Sequence, residues 1–353
     1  MSHELTIEPL GETITVEDGQ TVLDACLRAG VWLPHACGHG LCGTCKVDVV
    51  DGEVDHGSAS PFALMDFERD EGKVLACTCT LTSDVTIEAE IDEDPDARVI
   101  PVRDFAVTVS RLVDLTHDVK GVFLTIEGDG IDFQAGQFIN LHLPGVEGTR
   151  AFSLANPPSR GTGIELHVRL VPGGAGTTYI HQTLKEGDRL TVSGPYGRFF
   201  VRKSATEPMI FLAGGTGLSS PKSMILDLLE DGRTEPMTLI HGVRTQADLY
   251  DRALFEDLAA RHENFRYVPA LSSEPEDSGW TGERGFVHDV MNRLFDGFLG
   301  GHKAYLCGPP PMIEACIRTL MQGRLFEKHI FTEKFITAKD ASEAPRSPVF
   351  KRI

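Results

Sequence analysis

Three cysteines within nine residues, Cys37, Cys42 and Cys45, are the part of the sequence most suited to chemistry. Their Cys-x4-Cys-x2-Cys spacing is the one that plant-type [2Fe–2S] clusters use, together with a distant fourth thiolate. Cys77 can supply that thiolate, and Cys79 is a rival two residues further on. We therefore predict a [2Fe–2S] cluster held by Cys37, Cys42, Cys45 and Cys77.

Glycines separate these thiols, at Gly38, Gly40 and Gly43. A backbone that wraps tightly around two irons needs positive φ angles, which glycine adopts most readily. The glycine N–H groups are then free to point at the sulfur atoms and to tune the potential of the cluster. The composition of the loop therefore supports the same site as its spacing.

Two other uses of these cysteines are less consistent with the sequence. A zinc site could be built from Cys42, Cys45, Cys77 and Cys79, but it leaves Cys37 and the glycines unexplained. Cys37-x-His39 matches half of a Rieske motif, yet the second half is absent. His39 is then a loop residue, and Cys26, inside a helical pattern, is a buried apolar thiol.

A second group of useful side chains lies in Arg150-Ala151-Phe152-Ser153, at the end of a strand-like segment. A flavin dinucleotide needs a cation for its pyrophosphate, a flat apolar surface for its ring, and a donor at the nitrogen that receives hydride. Arg150, Phe152 and Ser153 offer these groups. Further on, Gly173–Thr177, which includes Gly174, leads into a helix, and a glycine turn at a helix N-terminus is an anion site. Together the two motifs indicate an FAD site.

Two loops near the ends of predicted strands have the character of a nucleotide site. The first follows a strand and opens a helix, and it contains Gly214, Gly215, Thr216 and Gly217. That context suits a diphosphate, although Ser220 replaces the third glycine of the dinucleotide fingerprint and the P-loop ending is missing. The second loop contains Cys307, Gly308 and Pro309. If the loops converge, Cys307 lies beside the nicotinamide; otherwise it is a small buried residue before a turn.

The elements that position the thiol loop occupy residues 1–92. Short strands surround a helix over Thr21–Ala29, which Gly30 ends, and a shorter helix is predicted near Pro61–Arg69. A final strand is predicted over Val85–Ile91. Residues 93–101 then form an acidic, proline-containing linker.

The remainder of the chain divides into two parts, which differ in the order of their predicted strands and helices. Residues 102–203 contain short alternating strands between glycine and proline turns, which predict an antiparallel β-barrel. Residues 204–335 alternate strand and helix, which predicts a parallel α/β sheet. Residues 336–353 form a tail.

Acidic residues are concentrated in the first part of the chain. The net charge is −19, and residues 1–100 carry 21 acidic and five basic side chains, a net charge of −16. Such a surface repels phosphates, so nucleic acid is not an expected partner, whereas a basic protein surface is. No apolar run approaches the roughly 18 residues of a membrane span, and the start lacks a signal-peptide pattern. We expect a cytoplasmic protein without a membrane partner.

The motifs, taken in order, resemble a known family. RAFS, GGAGT, GPYG, AGGTGLSS and CGPPPM follow the pattern of ferredoxin-NADP⁺-reductase-like flavoproteins, and CGHGLCGTC with VLAC resembles a plant-type ferredoxin fused in front. SPFALMDFERDE, RAFSLANPPSR and AYLCGPPPMI are similar to the reductase components of multicomponent phenol hydroxylases, kin of the methane, toluene and benzoate oxygenase reductases. The resemblance implies a β-grasp ferredoxin, a six-stranded antiparallel FAD barrel and a nucleotide-binding parallel sheet.

Residue roles follow from the resemblance by position. It implies that Arg150 and Thr177 hold the FAD pyrophosphate, that Phe152 packs along the flavin, and that Ser153 reaches its hydride-accepting nitrogen. On the next strand the cofactor is lined by His167, Val168 and Arg169. The ligand set of the family favours Cys77 over Cys79.

The nicotinamide is flanked, by the same resemblance, by Gly215, Thr216 and Cys307, so that Ser153 and Cys307 are the predicted catalytic residues. Phe335, which ends Glu333-Lys334-Phe335, covers the flavin face in this family, and a core packing role accounts for it almost as well.

The implied function is electron transfer from NADH through FAD and the [2Fe–2S] cluster to a diiron hydroxylase, which docks on the acidic ferredoxin domain. NADPH is the alternative donor: Arg244 would favour its 2′-phosphate, whereas Asp248 and Asp251 disfavour it. Two other functions stay open. One is the reductase of a Rieske-type aromatic dioxygenase, and the other is a redox sensor without turnover.

Overall fold

The computed structural model describes residues 2–36, 38–91 and 94–335. This part of the chain forms two compact units, one ending at Arg103 and the other spanning Asp104–Phe335. Within the described ranges, no helix combines the length and the apolar character that crossing a membrane requires. Three predicted features lie outside the described residues: Cys37, the domain boundary at residues 92–93, and the tail 336–353.

The first unit is a five-stranded mixed sheet with helix α1 against it. The strand order is β2-β1-β7-β3-β5, and β1 and β7 run parallel at the centre. This is the β-grasp architecture. The elements are β1 (His3–Glu8), β2 (Glu12–Val16), α1 (Val22–Ala29), β3 (Lys46–Asp51), β4 (Val54–Asp55), α2 (Asp66–Asp70), β5 (Lys73–Leu75), β6 (Thr80–Leu81) and β7 (Val85–Glu88).

Local signals fix the ends of α1. The Thr21 hydroxyl accepts a hydrogen bond from the Asp24 N–H (3.3 Å) at the start, and Gly30 ends the helix with a φ of 83°. Cys26 is buried on the inner face of the helix, and burial raises the pKa of its thiol to about 12. Cys26 is therefore a core thiol, as the sequence predicts.

The shorter helix differs from its prediction. The sequence predicts a helix near Pro61–Arg69, but α2 begins only at Asp66. The residues before it form turns, in which the Ser60 carbonyl accepts from the Ala63 and Leu64 N–H groups. The Ser60 backbone N–H donates to the Gly40 carbonyl (3.0 Å). This segment therefore packs along the cysteine loop and does not form a helix. The strand predicted over Val85–Ile91 ends at Glu88.

The second unit begins with a six-stranded antiparallel sheet that forms the predicted barrel. Its order is β11-β10-β13-β8-β9-β12, and its interior is filled by aliphatic residues around Phe133. Helix α3 begins at Ala175, within the Gly173–Thr177 segment that was predicted to precede it. The elements are β8 (Arg103–Asp114), β9 (Val119–Ile126), β10 (Phe138–His142), β11 (Thr149–Ser153), β12 (Gly163–Arg169), α3 (Ala175–Gln182) and β13 (Arg189–Tyr196).

A six-stranded parallel sheet follows, in the order β17-β16-β15-β14-β18-β19. Apolar clusters around Phe211 and Ile210 cover its two faces. Helix α6 and the edge strands β17 and β19 were not among the predicted elements. The elements are β14 (Met209–Gly214), α4 (Ser219–Glu230), β15 (Met237–Val243), α5 (Arg252–Arg261), β16 (Phe265–Leu271), β17 (Glu283–Arg284), α6 (Val287–Leu294), β18 (Lys303–Gly308), α7 (Pro310–Gln322) and β19 (Ile330–Lys334).

Strand order determines where a ligand can bind. The sheet grows from β14 in both directions, and ligands of open α/β sheets bind where the order reverses, at the carboxyl ends of the strands. The register at this point aligns Ala213 with Cys307 and Cys307 with Glu333. Three strands thus deliver residues to one place.

Candidate active site

The cysteine loop brings together the thiols that the structure describes. Cys45 and Cys77 are buried and Cys42 is exposed, and the Gly40 N–H donates a hydrogen bond to the Cys77 Sγ (3.2 Å). A hydrogen bond with Cys45 lowers the pKa of Cys77 to about 7 and raises the pKa of Cys45. Cys37, the remaining predicted ligand, lies outside the described residues.

Cys79 has a different environment. It is fully buried, its Sγ contacts the Thr80 carbonyl oxygen at 3.9 Å, and burial raises the pKa of its thiol to about 12. The Cys77 Sγ accepts a backbone N–H, as sulfur ligands of iron–sulfur clusters do, whereas the Cys79 Sγ faces a carbonyl oxygen, so the surroundings of Cys77 suit a ligand better.

Two glycines allow the loop to close around the thiols. A Cβ on Gly40 would lie 2.8 Å from the Thr78 Cγ2, and one on Gly43 would lie 3.1 Å from the Ala63 carbonyl oxygen. Both glycines have positive φ angles, 73° and 74°. The tight loop, the buried thiols and an N–H directed at a sulfur together fit an iron–sulfur cluster.

The end of β11 offers the groups predicted for a flavin. Arg150 lies against the start of α3, where a Cβ on Gly176 would come within 2.7 Å of its Cγ. Its guanidinium donates to the carbonyl oxygens of Glu147 and Thr149 (3.0 and 2.8 Å). A cation at a helix N-terminus is suited to a pyrophosphate. Phe152 is half-buried beside the barrel core.

The turn before α3 is stabilised by Thr177. Its hydroxyl accepts from the Val171 N–H (3.1 Å) and donates to the carbonyl of Gly174 (3.2 Å), the N-cap residue. Since this hydroxyl is used within the turn, the groups left for an anion are the first N–H groups of the helix.

The three predicted residues of β12 have different surroundings. Val168 packs into the barrel core. The His167 ring is buried, with its Nε2 3.0 Å from the Glu165 Oε1. The Arg169 Nε donates to the Asp118 Oδ2 (2.8 Å), and one of its terminal nitrogens lies 3.9 Å from where a Gly215 Cβ would be. Arg169 is therefore the member of this set nearest to the nucleotide loop.

The two predicted nucleotide loops do converge. A Cβ on Gly217 would lie 2.2 Å from the Cys307 carbonyl oxygen, and one on Gly214 would lie 3.0 Å from the Pro309 Cδ. Only glycine permits this approach. Gly215 has a φ of 55° and begins a 3₁₀ turn that ends at Leu218. The loops thus provide a narrow backbone cradle at the strand ends, which fits a nucleotide.

A buried carboxyl group lies at the centre of the site, and the sequence reasoning gave it no role. The Glu333 Oε2 accepts hydrogen bonds from the hydroxyls of Ser153 (3.2 Å) and Ser220 (3.0 Å). Burial of this carboxyl raises its pKa to about 7. The Cys307 Sγ lies 3.9 Å from the same oxygen, and burial, followed by the charge of Glu333, raises the pKa of this thiol.

This geometry shows what the predicted catalytic residues can do. Cys307 is a neutral thiol enclosed by the core, so it is not a nucleophile. The buried Ser153 hydroxyl donates a hydrogen bond to the Glu333 carboxyl group, whose pKa is about 7. Phe335 donates its backbone N–H to the Gly308 carbonyl (3.0 Å) and is half-buried against the core that contains Cys307. These residues form a closed surface at the strand ends, which suits a site that must exclude competing reactions during hydride transfer.

Known proteins match the chain in the same three parts. The 2Fe-2S iron-sulfur cluster binding domain matches residues 5–82, the oxidoreductase FAD-binding domain matches 106–201, and the oxidoreductase NAD-binding domain matches 211–318. The reductase component DmpP of phenol 2-monooxygenase from Pseudomonas sp. (strain CF600) is 62% identical over 100% of both chains. The chain belongs to the family of iron–sulfur flavoprotein reductase components of multicomponent oxygenases.

Other relatives of this reductase agree. The phenol hydroxylase P5 protein of Acinetobacter pittii (strain PHEA-2) is 57% identical, again over 100% of both chains. The crystal structure of the Amycolatopsis cytochrome P450 reductase GcoB has a TM-score of 0.87 and 37% identity, covering 94% of this chain and 98% of that chain. The reductase is an oxidoreductase that transfers electrons to a partner oxygenase component, with FAD, NAD and [2Fe–2S] domains. The predicted fold class, function and cofactors are confirmed.

Proposed function

We propose that this reductase is the NADH-oxidising component of a phenol hydroxylase whose oxygenase component is a diiron enzyme. The observation that carries the proposal is the full-length match to two reductases of phenol-oxidising systems. Bound FAD supplies the conversion of a two-electron donor into single electrons, and a bound [2Fe–2S] cluster carries them. The reaction belongs in the cytoplasm, where NADH is supplied and thiols stay reduced.

The cluster ligands in this proposal are Cys37, Cys42, Cys45 and Cys77. The hydrogen bond from the Gly40 N–H to the Cys77 Sγ supports this set over one that contains Cys79.

FAD would be held by the end of β11 and the start of α3. Arg150 and the N–H groups after Gly174, including that of Thr177, bind the pyrophosphate, and Phe152 packs along the ring. The backbone of His167, Val168 and Arg169 lines the same cofactor. Ser153 donates at the hydride-accepting nitrogen when its hydroxyl turns from Glu333.

The substrate NADH would place its nicotinamide in the cradle of the two loops. The residues concerned are Gly214, Gly215, Thr216, Gly217, Cys307, Gly308 and Pro309. Phe335 closes this surface against water. The hydroxyls of Ser153 and Ser220 donate to the Glu333 Oε2, and the neutral Cys307 thiol lies 3.9 Å from the same oxygen.

NADH is proposed over NADPH from the loop that follows β15. The Asp248 Oδ2 caps this loop by accepting from the Thr245 N–H and hydroxyl (2.8 and 2.9 Å). A fixed carboxylate repels a 2′-phosphate, and Arg244 is the single basic residue between β15 and Arg252. A higher kcat/KM with NADPH than with NADH would contradict the assignment.

Reconstitution tests the function as a whole. The purified holoenzyme is combined with a diiron phenol hydroxylase component, NADH and phenol, and both product and NADH consumption are measured. We expect hydroxylation that depends on the reductase. Rapid reduction of ferricyanide without any hydroxylation would show that the electron donor is identified correctly and the partner is not. With a Rieske dioxygenase component in the same assay, we expect much slower turnover.

A further inference from the structure

A buried charged cluster joins the FAD barrel to the nucleotide-binding sheet beside the site described above. It consists of Lys222 on α4, Glu165 and His167 on β12, and Asp251, which precedes α5. The Lys222 side chain is 6% exposed, and its Nζ lies 2.8 Å from the Glu165 Oε1 and 2.6 Å from the Asp251 Oδ2. The His167 Nε2 lies 3.0 Å from the same Glu165 oxygen. We call these four residues the Lys222 cluster.

The cluster is ionic. Burial would raise the pKa of Glu165, but the hydrogen bond with His167 and the charge of Lys222 outweigh burial and lower the pKa to about 2. Glu165 is therefore a carboxylate at neutral pH. The Lys222 ammonium already occupies the space between the two carboxylates, so the cluster is a closed ion network and not a metal site. Buried ion networks often specify geometry more than they add stability.

The cluster is connected to the nicotinamide loop through Tyr250, the neighbour of Asp251. The Tyr250 hydroxyl donates to the Gly215 carbonyl (3.3 Å), and the His241 Nε2 lies 3.3 Å from the same oxygen. The Tyr250 ring packs edge-on against His167, with ring centroids 5.0 Å apart. Burial raises the pKa of Tyr250 and lowers that of His241 to about 4, so both groups are neutral donors.

Asp251 adopts a backbone conformation that needs support. Its φ is 53°, in the left-handed region that side chains other than glycine rarely occupy. Such a residue persists only when its surroundings fix it. The shortest contact of its carboxylate is the salt bridge to Lys222 (2.6 Å), and the His167 Nε2 lies 3.8 Å from the same oxygen. Without Lys222, the turn that carries Tyr250 loses its closest ionic link to Glu165 on the barrel and keeps only the looser contacts with His167.

We propose that Lys222 is a positioning residue for hydride transfer: it fixes Asp251 and Tyr250, and through them the Gly215 carbonyl, relative to strand β12 of the flavin barrel. The proposal rests on the proposed function, which places the nicotinamide at Gly215. Lys222 does not touch the substrate. It sets the distance and angle between the cradle around Gly215 and strand β12, which is proposed to line the flavin. Hydride transfer depends steeply on this geometry.

The test measures flavin reduction by NADH in an anaerobic stopped-flow experiment on the holoenzyme, with NADH and its 4-deuterated form varied to saturation. We expect Lys222→Met to lower the limiting rate roughly 10- to 100-fold, with little change in the apparent Kd for NADH. FAD content, and electron transfer from dithionite-reduced protein to ferricyanide, should match the wild type. Lys222→Arg should recover a large part of the rate.

Lys203 provides a matched control. It precedes β14 and bridges Asp227 and Asp231 at the C-terminal end of α4, with Nζ–Oδ2 distances of 2.7 and 2.6 Å. Lys203→Met likewise removes an ammonium that bridges two carboxylates, here at the C-terminal end of α4, and this variant should reduce flavin at the wild-type rate. An unchanged rate in Lys222→Met, an effect on Kd alone, or equal losses in both variants would overturn the proposal.

Asp251→Asn is the second test variant, to be measured if Lys222→Met cannot be purified with FAD bound. Asparagine tolerates the left-handed conformation well, and the Lys222–Glu165 pair is retained. A slower limiting rate supports the proposal, and a wild-type rate overturns it. Failure of NADH to reduce the flavin of the wild-type protein would instead contradict the proposed function itself, so the two failures are distinguishable.

Discussion

The Ser153 hydroxyl, at the end of a barrel strand, donates a 3.2 Å hydrogen bond to the carboxyl group of Glu333 on the last strand of the sheet. The two residues are 180 positions apart in the chain. Their contact joins β11, which is predicted to contact the flavin, to the strand ends of the parallel sheet, where Cys307 lies. The candidate active site thus draws residues from both the barrel and the parallel sheet of the second unit.

Glu333 should make stability depend on pH. Its folded pKa of about 7 lies above the ordinary value of 4.5, so the folded state binds more protons than the unfolded state between these values. The stabilisation is complete below pH 4.5 and is lost as the pH rises through 7, by about 3 kcal/mol in the free energy of unfolding. The Glu333→Gln variant lacks this titrating group and should not show the loss. The difference between the Tm of the variant and that of the wild type should therefore increase from pH 5 to pH 8.

Glu327→Gln is the control for this prediction, since Glu327 is an exposed carboxylate a few residues before β19. Its Tm should follow the wild type across the same pH range. Parallel curves for all three proteins would mean that Glu333 titrates like an ordinary carboxylate.

The two candidate fourth ligands can be separated by serine substitution. Cys77→Ser should lose the cluster, because it removes the thiol that lies beside Cys45 and accepts the Gly40 N–H. Cys79→Ser should keep it and lose some stability, as a polar group enters a fully buried position. Iron and acid-labile sulfide per chain are the measurements. Loss of iron from Cys79→Ser with retention in Cys77→Ser would reverse the assignment.

The nucleotide cradle should not tolerate a side chain at Gly217. Gly217→Ala places a methyl group 2.2 Å from the Cys307 carbonyl oxygen, and both loops must separate. We expect about 1–3 kcal/mol of destabilisation and a lower kcat/KM for NADH. Gly163→Ala is the control, because its nearest contact would be 3.9 Å away. Wild-type kinetics in Gly217→Ala would show that the loops do not approach each other this closely.

The acidic surface of the first unit should take part in docking the oxygenase component and should have no part in the reaction with NADH. Asp66, Asp70 and Glu71 are exposed and follow the segment that packs on Gly43. Changing all three to lysine should slow electron transfer to the hydroxylase, more strongly at low ionic strength, while NADH–ferricyanide turnover is unchanged. The same change at Glu8, Glu12 and Glu17, which lie on or after strands β1 and β2, is the control. Equal effects of the two triple variants on transfer to the hydroxylase would contradict docking at α2.

Local patterns predicted the parts of the site that are contiguous in sequence. The cysteine spacing, the caps of α1 and the glycine loops at Gly214 and Gly308 act over a few residues, so the sequence reveals them. Glu333 could not be found this way, because its place depends on the register between β18 and β19. The partners of Lys222 are 57 and 29 residues away, on other elements. The helix near Pro61 was misplaced because packing on the cysteine loop outweighed local propensity.

Electron transfer from NADH through the flavin to the cluster is tested most directly by an absorption spectrum of the purified holoenzyme, recorded before and after anaerobic addition of NADH. We expect oxidised flavin and [2Fe–2S] bands to be present at the start and both to bleach, because the cluster proposed at Cys42, Cys45 and Cys77 would receive electrons from the flavin. A flavin band that bleaches alone, or thiols that coordinate a single divalent ion without colour, would contradict this expectation.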